Sequence, residues 1–227
     1  MLIDLNKLFS ITETLRMQTI GDPVWLPQKN VFEYANQSVQ VVAVLKAIRA
    51  AQGVKSMHIL CENGLLIDMG AIYRCVADCS SEIYFLLEHY PQSSEDVDRF
   101  VKAFFETTID NYSNVQTNYV PVRKIHNAET RILTSLENGA KNRNETAKKV
   151  YKAFSGYIHA NYSHIMQNCS GTPPDINFNL AGVPSIQERT KHMQLVDEAY
   201  SSVLCSIGFA SHKFGLTDLY REIVHLL

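Results

Sequence analysis

Apolar positions recur at steps of three and four along most of the chain, and strict alternation is nearly absent. "LNKLFSITETLRMQ" predicts a short leading helix, closed by "GDPVWLP", where a glycine and two prolines force a turn. "NVFEYANQSVQVVAVLKAIRAAQ" predicts a second helix, with Val31, Tyr34, Val41, Val42, Leu45 and Ile48 on its apolar side and Gly53 as its stop. The same period continues from Met57 to Tyr90. It predicts one long helix in which Gly64 and Gly70 mark a bend or a close helix contact, and which Pro91 ends.

"SSEDVDRFVKAFFETTIDNY" opens with Ser93 or Ser94 as a cap and Glu95 and Asp96 in the first turn, the sign favoured at a helix start. A helix follows near "VRKIHNAETRILTSLENGA", and another spans about residues 142–168. "CSGTPPDINFNLAGVPS", with its glycines and prolines, predicts a loop. Helical periodicity then resumes at Ser185, with a short terminal helix from Thr217. "NVQTNYVPV" is the best strand candidate. The pattern predicts a single all-α domain, a bundle with long antiparallel helices. Residues 1–30 give a leading helix and turn, 31–169 core helices, 170–184 a long loop and 185–227 C-terminal helices.

Composition fits a packed core: 46% of residues are hydrophobic and 19% charged. A formal net charge of −2 removes any global basic character that would signal nucleic-acid binding, leaving only local patches. The five cysteines include no C-x-x-C pair and sit mostly in apolar helical contexts. They predict reduced, buried thiols in a cytoplasmic protein, and no metal site. No leader sequence and no apolar run long enough to span a bilayer is present, so no membrane association is expected.

The candidate chemistry sits on the helix over residues 142–168. At about 100° per residue, Tyr151, Ser155 and His159 share one stripe with Lys148, Tyr162 and Met166, beside an apolar flank of Phe154, Ile158 and Ile165. A polar stripe bordering a buried face is partly desolvated, which strengthens hydrogen bonds within it. His159 could then act as a general acid or base, Ser155 could orient it, and Tyr151 could bind a phosphate or stack on a base. The alternative is a structural Tyr–Ser–His network in a non-catalytic helical interaction module. "RKIHNAETR" sets His126 and Glu129 three apart, the reverse of the Glu-x-x-His order of di-iron bundles and without a second copy, so it predicts no metal. The basic residues of "KNRNETAKK" form either a solvated face or phosphate contacts.

The Y-x3-S-x3-H helix resembles the signature of a group of uncharacterised bacterial helical proteins similar to the HEPN superfamily. The resemblance extends to Arg74 and Asp78, an arginine and a carboxylate four apart before the aromatic "EIYFLL", and to "NFNLAG" after the histidine helix. It covers roughly Met57 to Phe214. Many HEPN proteins are metal-independent ribonucleases of toxin–antitoxin or phage-defence systems, with an arginine four to six residues before a histidine and a site completed across a dimer. The resemblance therefore implies RNA as partner, a homodimer or a protein partner, no cofactor, and His159, Ser155 and Arg74 as catalytic groups. Tyr151, Lys152, Lys148, Tyr162 and Asp78 would contact the substrate. The chain departs from the motif: Lys152, not an arginine, precedes His159, and lysine lacks the planar fork that grips a phosphate.

Overall fold

The structure, a computed structural model, describes residues 3–106, 120–136 and 143–227, and for residues 136 and 143–150 the backbone alone. Among the described residues it is mostly helical, with nine helices and two short antiparallel hairpins. The helices are α1 (Leu5–Thr19), α2 (Val39–Glu62), α3 (Leu66–Leu87), α4 (Glu95–Glu106), α5 (Val122–Leu136), α6 (Arg143–Ile158), α7 (Tyr162–Ile165), α8 (Ile186–Lys213) and α9 (Thr217–Val224). The hairpins are β1 (Val24–Leu26) with β2 (Val31–Glu33), and β3 (Cys169–Thr172) with β4 (Asp175–Phe178). No described helix is long and apolar enough to cross a membrane.

Polar caps set several helix starts. Asp4, Ser38, Ser94 and Ser185 each accept a hydrogen bond from the backbone N–H three residues on. α2, α3 and α8 form the centre, with α1 against α2, α9 against α8, and α5 and α6 against α3. α2 buries residues on more than one side, Val41 to Val44, Ala47, Ala50, Ala51, Gly53, Val54 and Met57, as a central helix must. Leu8, Leu15, Met69, Ile83, Leu86, Leu204 and Ile207 complete the dry core around it.

Several elements differ from the sequence expectation, each for a local reason. The second helix does not begin at Asn30. Val31–Glu33 instead pairs with Val24–Leu26, and Trp25 and Phe32, opposite each other, bring their ring centroids to 4.7 Å. Such aromatic cross-strand pairs stabilise a hairpin, and the helix waits for the Ser38 cap. Gly53 is not a stop. It lies inside α2, where a β-carbon would come 2.3 Å from Val76 Cγ2, so the missing side chain lets α2 and α3 close together. The stretch from Met57 to Tyr90 is two helices, not one. Gly64 ends α2 at φ +72°, and a side chain there would meet the Val183 backbone. The segment 170–184 is not purely a loop, since it contains most of the β3–β4 hairpin. Most of the strand candidate "NVQTNYVPV" lies outside the described residues, and its last residue, Val122, begins α5.

The expected helix over 142–168 also breaks. α6 ends at Ile158, with Ala160 in the left-handed region at φ +48°. Asn161 N–H donates to Gly156 O and Ala160 N–H to Tyr157 O, a Schellman closure. Gly64 and Gly215 end α2 and α8 in the same way. Alanine at this position removes the glycine signal that would mark the stop.

Two stability outcomes follow. Gly53→Ala should gain about 1 kcal/mol in helix propensity yet lower stability overall, because overpacking against a buried, stiff valine costs ~1–3 kcal/mol. Its cost should shrink in a Val76→Ala background, measured as a double-mutant cycle by urea titration. Ala160→Gly should raise stability by ~0.5–1 kcal/mol, since it relieves a left-handed alanine on an exposed turn. Thermal melts of the two proteins check this.

Candidate functional site

α3, α5 and α6 enclose a cleft of about 210 Å³ lined by Tyr73, Arg74, Ala77, Asp78, Ser81, His126, Glu129, Tyr151 and Phe154, with Ser202 from α8. Arg74 is 6% exposed, the one arginine buried in the described core. A buried guanidinium must be paired. Its Nε faces both carboxylate oxygens of Asp78 at 2.9 Å, the turn below on α3. Its Nη1 donates to the Tyr151 carbonyl of α6 at 3.1 Å, and its Cζ lies 3.1 Å from the Tyr151 ring centroid. One residue thus ties α3 to α6 by charge, hydrogen bond and cation–π contact. Among the described residues Nη2 has no hydrogen-bond partner.

His126, on α5, sets its ring edge-on to Tyr151, with centroids 4.8 Å apart. Burial lowers its proton affinity below the ordinary value near 6.5. The Asp78 carboxylate opposes that shift and the Arg74 cation adds to it. The imidazole is therefore neutral at neutral pH, with one nitrogen able to accept a proton. Glu129, one turn further along α5, accepts a hydrogen bond from Ser81 Oγ at 2.7 Å. Tyr73 also lines the cleft and packs its ring against Phe154, with centroids 4.2 Å apart. Burial, with the carboxylates of Glu198 and Glu129, pushes its hydroxyl up to about 12, so it stays a neutral donor.

The cleft gathers Arg74, Asp78 and Tyr151 from the sequence-derived set and leaves the others out. Ser155 is half-buried on α6 beyond the cleft lining, and His159 is exposed past the end of the helix. Tyr151, Ser155 and His159 share no side-chain hydrogen bond; Tyr151 serves Arg74 and His126 instead. Lys152 is exposed, Tyr162 stands 80% exposed on α7, and the side chain of Lys148 lies outside the described residues. His126, Glu129, Ser81 and Tyr73 are among the cleft residues that sequence reasoning did not place at a site. His126 and Glu129 were weighed only as metal ligands, and their one-turn spacing is the signal that they share a helix face. Among the described residues no group of three or more His, Cys, Asp or Glu side chains is arranged to hold a metal ion.

Fold and site together define a mostly helical protein with an aromatic-walled arginine–histidine cleft. No protein-family model, curated protein or solved structure matches the chain.

The depressed proton affinity of His126 has a fixed sign. The unfolded chain takes up this proton first, so the folded state loses stability as pH falls below about 6.5 and through the lower folded value. Melting temperatures between pH 7.5 and 5 should fall more steeply for the parent than for His126→Gln. Parallel curves would show that His126 is not buried neutral.

Proposed function

We propose that the chain is a HEPN-like bundle of long antiparallel helices that binds RNA, cleaves it without metal, and works as a homodimer in bacterial defence or stress response. The observation that carries the reading is one cleft holding an arginine with an unspent nitrogen, a neutral histidine and an aromatic face. Each group matches a need of RNA cleavage. Arg74 Nη2 offers a charged donor to a phosphate oxygen. His126 offers a base with its nitrogen unprotonated at neutral pH. Tyr73, also in the cleft lining, offers a neutral hydroxyl.

The chemistry balances without an outside reagent. His126 takes the proton of a ribose 2′-hydroxyl, and the 2′-oxygen forms a bond to the adjacent phosphorus. The bond from phosphorus to the 5′-oxygen breaks, that oxygen takes a proton from water, and the hydroxide so formed takes the proton held by His126, which restores the neutral imidazole. The products are a 2′,3′-cyclic phosphate and a 5′-hydroxyl end. Arg74 stabilises the charge that builds on the phosphate oxygens. His159 and Ser155 take no part in this cleft.

A second reading has its own observation. Arg74 directs Nε and Nη1 to groups of the chain itself, as a purely structural clip would, in a non-catalytic interaction module.

Incubation of the purified protein with single-stranded RNA in EDTA separates the two. The proposal expects cleavage with cyclic-phosphate ends, reduced by ~10²–10⁴ in His126→Ala and little changed in His159→Ala. Absence of cleavage by the parent, or loss in His159→Ala but not His126→Ala, overturns it.

A further inference from the structure

Side chains fix how α2 and α3 run past each other on the side away from the cleft. Lys46 of α2 pairs with Glu82 of α3. Two turns further along α2, Gly53 abuts Val76 and Ile72. Arg49 lies about one turn from each contact, so it faces the stretch of α3 between them. That stretch holds Cys75 and Cys79. Arg49 is exposed, and its Nη1 lies 3.5 Å from where a Gly53 β-carbon would stand, beside the turn that carries Cys75. Lys46 and Arg74 are each matched by a carboxylate, whereas Arg49 forms no ion pair among the described residues.

The two thiols are four residues apart and share one face of α3. They differ in access: Cys75 is half-buried and Cys79 is buried. Cys79 S–H donates a hydrogen bond to the Cys75 sulfur, and that bond draws the Cys75 thiol below its ordinary range. Burial opposes the shift, the Arg49 cation adds to it, Asp78 opposes it and Lys46 adds to it. The same bond, with burial, pushes the Cys79 thiol up. One sulfur thus holds negative charge while its neighbour keeps a proton. A partly exposed thiolate beside a cation is the setting in which cysteines react.

We propose that Cys75 is a modification site at which a hydroperoxide forms a sulfenic acid, with Cys79 as hydrogen-bond donor and Arg49 as counter-ion. This does not depend on the RNA reading. The Cys75 sulfur attacks one peroxide oxygen, a sulfur–oxygen bond forms and the oxygen–oxygen bond breaks. Sulfur is oxidised and the peroxide reduced; the oxygen that leaves takes a proton from water. The product stays a sulfenic acid because the helix keeps the pair from bridging. Residues four apart hold their β-carbons ~5–6 Å apart, whereas a disulfide needs ~3.5–4.5 Å.

The test is iodoacetamide labelling of the reduced full chain across pH 5 to 9, read site by site by mass spectrometry. Labelling of Cys75 should reach half its maximal rate well below the ~8.5 of an ordinary thiol. The midpoint should rise by roughly a unit in Arg49→Met and in Cys79→Ala, and less in Cys79→Ser, which keeps a donor. Arg49 is exposed, so its replacement leaves the core intact. Hydrogen peroxide with dimedone should then tag Cys75 ahead of Cys169, which is also half-buried. A Cys75 midpoint at the ordinary value, a midpoint that neither Arg49→Met nor Cys79→Ala moves, or prior tagging of Cys169 overturns the proposal.

Discussion

Arg74 sets the constraint from which the site follows. α3 is packed against α2 on one side, closely enough that Gly53 has no room for a β-carbon. On the side facing α6 it carries a guanidinium where water scarcely reaches. An unpaired charge there would cost several kcal/mol or more. Asp78 alone meets part of the need, since its own side chain is 39% exposed and the pair is partly screened. The remainder comes from another helix, through the Tyr151 carbonyl and ring. Pairing this charge therefore fixes α6 over α3, and the position of α6 defines the cleft that α5 closes.

The same constraint limits what the cleft can do. A guanidinium already directed at Asp78 and Tyr151 presents a single nitrogen, so it can act as a point donor and not as a bidentate fork. Tyr151 is shared, since its ring lies under Arg74 and takes the edge of His126. The pieces are coupled: moving Tyr151 would loosen the arginine and the histidine together. Rigid placement of this kind is what a site needs when positioning is most of its work.

The helical class was legible because α2, α3, α5 and α8 bury apolar residues at helical spacing, and the caps at Ser38, Ser94 and Ser185 are ordinary. The element breaks were harder to read. Gly53 looked like a stop and is a packing gap, whereas Ala160 looked like helix and is a stop; backbone conformation and residue type disagree at both. The short strand at Val31–Glu33 continues apolar spacing into a helix-like pattern, and only its pairing with Val24–Leu26 distinguishes it. Three of the ten residues lining the cleft were legible for a related reason. Arg74, Asp78 and Tyr151 stand out as polar or proton-handling groups beside apolar faces. His126 could not be placed, because whether α5 turns it toward α3 or toward solvent depends on tertiary packing.

Polarity is divided across the molecule in a way that pattern along the chain does not explain. Arg74, Asp78, Glu129 and His126 converge on a half-enclosed cleft, where desolvation sharpens every charge. The segment from Ile158 to Ile186 carries a single charged side chain, Asp175, and shows isoleucine, leucine, tyrosine and phenylalanine to water. A chain selected only for a stable, solitary fold would place these groups the other way round, since an enclosed charge and an exposed apolar surface both cost free energy. The cleft offsets its cost by pairing its charges, whereas the large apolar side chains of the connecting segment stay open to water. α6 links the two directly. It carries Tyr151 under the arginine, and seven residues later Ile158 starts the stretch in which Asp175 is the one charged side chain.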